Sequence, residues 1–114
     1  MSQARFFQAL SDGTRLRIIM LLACETELPV TELVHALQLP QPKVSRHLAY
    51  LRDSGAVTVR RKAQWIYYRL DDHGPSWWKA VIMTTLEGLK HNRLYETDRA
   101  RLRELRRRSG FCAA

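Results

Sequence analysis

The sequence predicts a mainly helical domain carrying one small β-hairpin, in the order α-α-α-α-β-β-α-α. Three observations predict it. Residues 39–55 read as a turn followed by a short helix with an apolar stripe on one side and a polar, basic face on the other. A shorter helix over 31–37 precedes it across the four residues Gln38-Leu39-Pro40-Gln41. Two β-rich runs, Val57–Lys62 and Trp65–Leu70, follow it directly, parted by Ala63-Gln64. Two helices joined by a tight turn, followed by a basic hairpin, make a winged helix-turn-helix.

Each element has its own signal. Residues 2–10 read as a first helix with Phe6, Phe7 and Leu10 apolar. Ser11 and Asp12 suit the cap of a second helix over 13–25, where Leu16, Ile19, Met20 and Ala23 recur at helical spacing. The third helix, 31–37, follows Pro29 and carries Leu33, Val34 and Leu37 as its stripe. In the fourth, Pro42 suits the first turn, where its missing N–H costs nothing, and Gly55 suits the residue just past the end. Val44, Leu48 and Leu51 share one face at i, i+4, i+7, with Ser45, Arg46 and Ala49 opposite and Lys43 and Tyr50 on the flank. Alternation along the second β-run sets Trp65 and Tyr67 on one face and Ile66 and Tyr68 on the other, the pattern of a packed wing. Gly74-Pro75 opens a fifth helix running from Trp77 to about Leu94. Glu96-Thr-Asp98 opens a last one through Arg108, with acidic residues at its positive end.

At 114 residues this is one domain over 1–114, with 109–114 as a tail. Apolar residues make up 46%, enough for a core, though a small one for a monomer. The net charge of +8 expects a polyanion, nucleic acid or a membrane surface. No apolar run reaches membrane-spanning length and residues 1–10 hold no leader pattern, so a cytoplasmic protein with no membrane partner is expected. Cys24 and Cys112 are too few for a disulfide framework. With no nucleophile–base pair, carboxylate dyad or metal motif in sight, an enzyme is not expected.

A helix pinned along one stripe and presenting Ser, Arg and a small Ala outward fits the DNA major groove. Gln41, Lys43, Ser45 and Arg46 are therefore candidate DNA contacts, with His47 at the rim. Gln, Ser and Arg can bond base edges, while Lys neutralises phosphate. On the wing, Arg60, Arg61, Lys62 and Gln64 are placed to reach phosphates or the minor groove, and their charge also guards an edge strand. The face of Trp78, Ile82, Leu86 and Leu89, widened by Trp77 and Met83, exceeds what one core contact needs and suggests a dimer interface. His35, His47, His73 and His91 form no evident zinc set, so a metal is left unassigned. Cys24 reads as a small buried hydrophobe or a second sulfur ligand. Cys112 follows Arg106, Arg107 and Arg108, which favour its thiolate. The arginine run over 99–108 reads as a solvated helix with Asp98 and Glu104 as local partners, or as a second DNA surface.

Three strings carry a resemblance over nearly the whole length: Ala9-Leu-Ser-Asp-Gly-Thr-Arg-Leu-Arg-Ile-Ile19, Gln41-Pro-Lys-Val-Ser-Arg-His-Leu-Ala-Tyr-Leu-Arg-Asp-Ser-Gly55 and Arg60-Arg-Lys-Ala-Gln-Trp-Ile-Tyr-Tyr-Arg-Leu70. The chain resembles ArsR/SmtB-type winged-helix repressors, and the fourth helix resembles their arsenic-responsive branch. That resemblance implies a homodimer built on the first and fifth helices, seated on operator DNA and released by an effector. It also exposes a departure. The arsenic branch carries Cys-x-Cys-x-x-Cys at the start of the third helix, where this chain has Pro29, Thr31 and Val34. None of these offers a soft donor. A thiol-reactive effector, trivalent arsenic or antimony or else reactive sulfur or an oxidant, would have to use Cys112, with or without Cys24. The alternative is a constitutive or partner-regulated DNA-binding protein with no small-molecule site.

Overall fold

One buried helix lies at the centre of the described residues. In the computed structural model, which describes residues 1–109, the order is α1 Gln3–Leu10, α2 Gly13–Cys24, β1 Leu28–Pro29, α3 Val30–Leu37, α4 Gln41–Ser54, β2 Val57–Lys62, β3 Trp65–Leu70, α5 Ser76–Leu89 and α6 Arg93–Ser109. Helix α2 is the centre. Ile18 through Leu22 are buried in succession, so the helix is apolar all round where it crosses the core. Leu33, Ala36 and Leu37 of α3, Val44, Leu48 and Leu51 of α4, Leu28, Val57 and Leu102 close around it. No helix among the described residues is long and apolar enough to cross a membrane.

The helix ends are set by local chemistry. Ser2 Oγ accepts the Arg5 N–H at the start of α1, and Asp12 Oδ2 accepts the Arg15 N–H at the start of α2. Gly55 takes a left-handed φ of 87° just past α4, where a side chain would be strained. Gln38 takes the same role after α3 at φ 55°, and its side-chain amide donates to the His35 carbonyl. The carbonyls at that end are filled from far away. Arg17 Nη2 donates to Leu37 O at 2.9 Å and Arg101 Nη1 to Ala36 O at 3.0 Å.

The hairpin forms as the alternation requires, in register from Val57 opposite Leu70 to Lys62 opposite Trp65. The two-residue turn places Ala63 at φ 56°. A third strand was not expected: β1 pairs antiparallel with β3, Leu28 opposite Tyr68 and Pro29 opposite Tyr67. Proline fits there because β1 is an edge strand. The packed wing holds only at the inner end. Trp65 is 47% and Ile66 39% exposed, because the tip projects past the core, while Tyr67 to Leu70 are half-buried.

The C-terminal third departs most from expectation. Helix α5 stops at Leu89 rather than near Leu94, and α6 begins at Arg93. Asn92 Oδ1 caps the new helix by accepting the Leu94 N–H at 3.1 Å. Asp98 does pair locally with Arg101, at 3.7 Å, but it is not a surface carboxylate. It is 1% exposed, and Arg17 of α2 grips it through two hydrogen bonds of 2.8 Å. Arg106 likewise bonds Glu25 and Glu32, the latter at 2.9 Å, so the inner arginines of α6 clamp it onto α2 and α3. The outer residues Glu104 and Arg107 do form the expected local pair.

Candidate nucleic-acid interface

Helix α4 is held by one stripe and shows another. Val44, Leu48 and Leu51 are fully buried, and each such side chain contributes about 1.5–3 kcal/mol of transfer free energy. Gln41, Ser45, Arg46 and Ala49 are exposed on the other side, and Lys43 is half-exposed. None of these five is drawn inward by an ion pair among the described residues. A small residue flanked by donors and acceptors is a surface that accepts base edges closely.

His47 stands apart. Its side chain is 16% exposed and turns toward the α1–α2 corner, with Nδ1 3.8 Å from Asp12 Oδ2. Burial holds its pKa below the usual histidine value; Asp12 pulls it up, while Arg15, Arg46 and Lys43 push it down. It therefore sits neutral at the inner rim rather than on the outward face.

On the wing, Arg61, Lys62 and Gln64 are exposed. Arg60 is engaged. Its guanidinium pairs with Glu27, just before β1, and lies over the Tyr67 ring at 5.6 Å. Glu27 in turn is held below the usual carboxylate range, first by that hydrogen bond. Sequence spacing missed this anchor, which steadies the base of the wing while Arg61 and Lys62 extend outward.

A second surface is apolar. Among the described residues of α5 none is fully buried; Ile82, Leu86 and Leu89 only half-cover themselves against the core. Beside them Phe6, Phe7, Trp77 and Trp78 form an aromatic layer, with Phe6 and Trp78 stacked at 5.1 Å. Gly74 permits it, since a Cβ there would lie 2.2 Å from the Trp78 ring. Phe7, Trp77 and Met83 remain 50%, 40% and 43% exposed. The Trp78 indole N–H is buried with no acceptor among the described residues.

Cys24, expected as a buried hydrophobe, is exposed, because it ends α2 two residues beyond the buried run. Crowding still pushes its thiol pKa up, against the pull of Arg99 and Arg103. Cys112 lies outside the described residues. Pro29 is buried, Thr31 exposed and Val34 half-buried, so the start of α3 carries no thiol. Asp71, Asp72 and His73 do gather three ligand atoms within 4.8 Å, a set the spacing of histidines alone did not suggest, but His73 already pairs with both carboxylates there.

The helix-turn-helix, its outward polar stripe and the adjoining basic wing define a winged helix-turn-helix of the kind that binds DNA. Residues 12–59 match the family model described as "Bacterial regulatory protein, arsR family". The chain is 54% identical over 76 residues to the arsenic resistance transcriptional regulator ArsR1 of Pseudomonas putida, covering 67% of this chain and 59% of that protein. It is 46% identical over 78 residues to the arsenical resistance operon repressor of Escherichia coli, covering 68% of this chain and 67% of that one. Among solved structures, HlyU from Vibrio cholerae superposes with a TM-score of 0.65 at 34% identity, over 74% of this chain and 87% of HlyU. The chain belongs to the ArsR family of bacterial regulatory proteins.

Proposed function

We propose that the chain acts in the cytoplasm as a homodimeric repressor that reads duplex operator DNA with α4 and the wing. In this reading a thiol-reactive effector, at Cys112 with or without Cys24, takes it off the DNA. The observation that carries the DNA part is the exposed stripe of Gln41, Ser45, Arg46 and Ala49, backed by three fully buried residues. Arg46 and Ser45 face base edges, Lys43 a phosphate, and Arg61, Lys62 and Gln64 the flanking backbone or minor groove. Arg60 keeps its charge at the wing base while bound to Glu27.

The dimer is supported by the half-covered α5 face of Trp78, Ile82, Leu86 and Leu89, the exposed Phe7 and Trp77, and the Trp78 indole N–H, which meets no acceptor among the described residues. Two α4 helices about 34 Å apart would match an inverted repeat one helical turn apart.

The effector part is supported by the relatives' arsenic-resistance names and by the two cysteines of the sequence. Arg106 bonds Glu25, next to Cys24, and Cys112 comes six residues after Arg106. Two protomers supply two copies of each thiol. Three thiolates suit trivalent arsenic or antimony, and two suit a disulfide or polysulfide bridge.

The test uses a duplex selected from a random-sequence pool by the wild-type protein. The complex is titrated with arsenite, antimonite, zinc, persulfide and peroxide. Release by one thiophilic agent is expected, with loss of the response in Cys112→Ser. Release at the same dose from a protein carrying both Cys24→Ser and Cys112→Ser would refute thiol sensing. Wild-type protein released by none of the five would establish the constitutive or partner-regulated alternative.

A further inference from the structure

The corner between α1 and α2 touches the flank of α4 at two places. Arg15 is the larger contact. Its Nε donates to Ala9 O at 3.1 Å and its Nη2 to Gln8 O at 3.0 Å, so the guanidinium closes the last carbonyls of α1. The same guanidinium lies over the Tyr50 ring of α4, 4.0 Å from the centroid. Arg15 also donates its backbone N–H to Asp12, whose carboxylate faces His47 of α4. Tyr50 and His47 are three positions apart and share one flank of the helix. They are neither on the buried stripe nor on the outward one.

An apolar stripe fixes which face of α4 is buried, but it resists a small roll or slide of the helix only weakly, since dispersion contacts have little direction. A planar cation stacked on a ring at one flank supplies the missing direction. The other end of this contact is not neutral ground. Helix α1 carries Phe6, stacked on Trp78, and Phe7, packed on Trp77. One short helix thus spans from the aromatic layer of α5 to the Arg15 fork.

We infer that Arg15 and Tyr50 are positioning residues for DNA reading: they set the roll of α4 and thereby where Arg46 and Ser45 meet the bases, and they tie that roll to α1 and the α1–α5 aromatic layer. The inference rests on the reading of α4 as the DNA-contacting helix. Neither residue needs to touch DNA. The expected signature is therefore a loss of discrimination without a loss of phosphate contacts.

The experiment is a double-mutant cycle on the full chain, with Arg15→Gln, Tyr50→Leu and both together. Affinity is measured for the pool-selected duplex and for an alternating inosine–cytosine duplex as non-specific DNA, each at several salt concentrations. Each single substitution should weaken selected-duplex binding about tenfold, equivalent to about 1.4 kcal/mol. Non-specific affinity and the salt slope should stay at the wild-type value, and the double variant should be no weaker than the weaker single. Tyr50→Phe, which keeps the ring face, should bind like wild type. Losses that multiply to about a hundredfold would make the two residues separate contacts and overturn the inference. So would a loss in Tyr50→Phe, or a fall that is equal on both DNAs. If Arg15→Gln does not fold, Tyr50→Leu decides through the ratio of the two affinities, since Tyr50 is 38% exposed and its truncation leaves the core intact. Wild-type protein with no preference for its selected duplex would refute the DNA-reading helix itself, and this inference with it; that measurement precedes every variant.

Discussion

Removing the Asp98 carboxylate tests whether α6 is structural or decorative. In Asp98→Ala, Arg17 loses two 2.8 Å charge-assisted bonds and keeps only its bond to Leu37 O. Breaking a buried ion pair on one side costs about 3–5 kcal/mol, mostly for the charge left behind. Arg17 retains a carbonyl acceptor and its side chain is 13% exposed, so the lower end applies, about 3 kcal/mol. Against a total of about 5–15 kcal/mol for a domain, that is a large fraction. At roughly 4 °C per kcal/mol for a chain of this length, the melting temperature should fall by about 12 °C. Calorimetry and urea unfolding read it directly. Arg17→Met combined with Asp98→Leu removes both charges and should recover most of the loss. A single variant melting within about 2 °C of wild type would refute the reasoning, as would a double variant no better than the single.

Other outcomes follow from the same contacts. Arg46→Ala should cost about 1–3 kcal/mol on the selected duplex and relax its sequence preference, whereas Lys43→Ala should weaken all DNA and flatten the salt slope by about one unit; band-shift titrations at several salt concentrations distinguish them. Polar substitution at Ile82 together with Leu86 should give monomers or unfolded chains by sedimentation, and a stable micromolar wild-type monomer would remove the interface. His47 has its folded pKa depressed, mainly by burial, so the unfolded chain takes up protons first. Stability is therefore full above the ordinary histidine value of about 6.5 and falls as pH drops below it. His47→Gln should flatten that segment of the curve. Asp12, held low first by the Arg15 N–H, adds a further loss below about pH 4, and a melting temperature that rises on acidification from pH 7 to 5 would contradict the assignment.

What the sequence made legible was periodicity. Val44, Leu48 and Leu51 announce both the buried stripe and, by subtraction, the exposed one, so the helix-turn-helix and its outward residues were readable. The β-rich runs Val57–Lys62 and Trp65–Leu70, parted by two residues, announced the hairpin. What escaped was aperiodic or distant. Two residues, Leu28 and Pro29, cannot show an alternation. Leu94 continues the apolar spacing of Leu86 and Leu89, so it masked the break that Asn92, a good capping residue, should have signalled. Asp98 sits among arginines and reads as solvated, while its partner Arg17 lies 81 positions away. Arg60 looked like its neighbours Arg61 and Lys62 until Glu27, 33 positions earlier, was seen beside it.

The far-off arginines that close α3 bear on portability. Leu37 O takes its donor from 20 residues upstream, and Ala36 O from 65 residues downstream. The helix-turn-helix spans 30–54, yet neither donor comes from within it. Grafted alone onto another scaffold, or expressed without α6, that segment would carry bare carbonyls at the turn that orients α4. A chimera meant to borrow this protein's sequence preference must therefore transplant α2 and α6 along with the helix that reads.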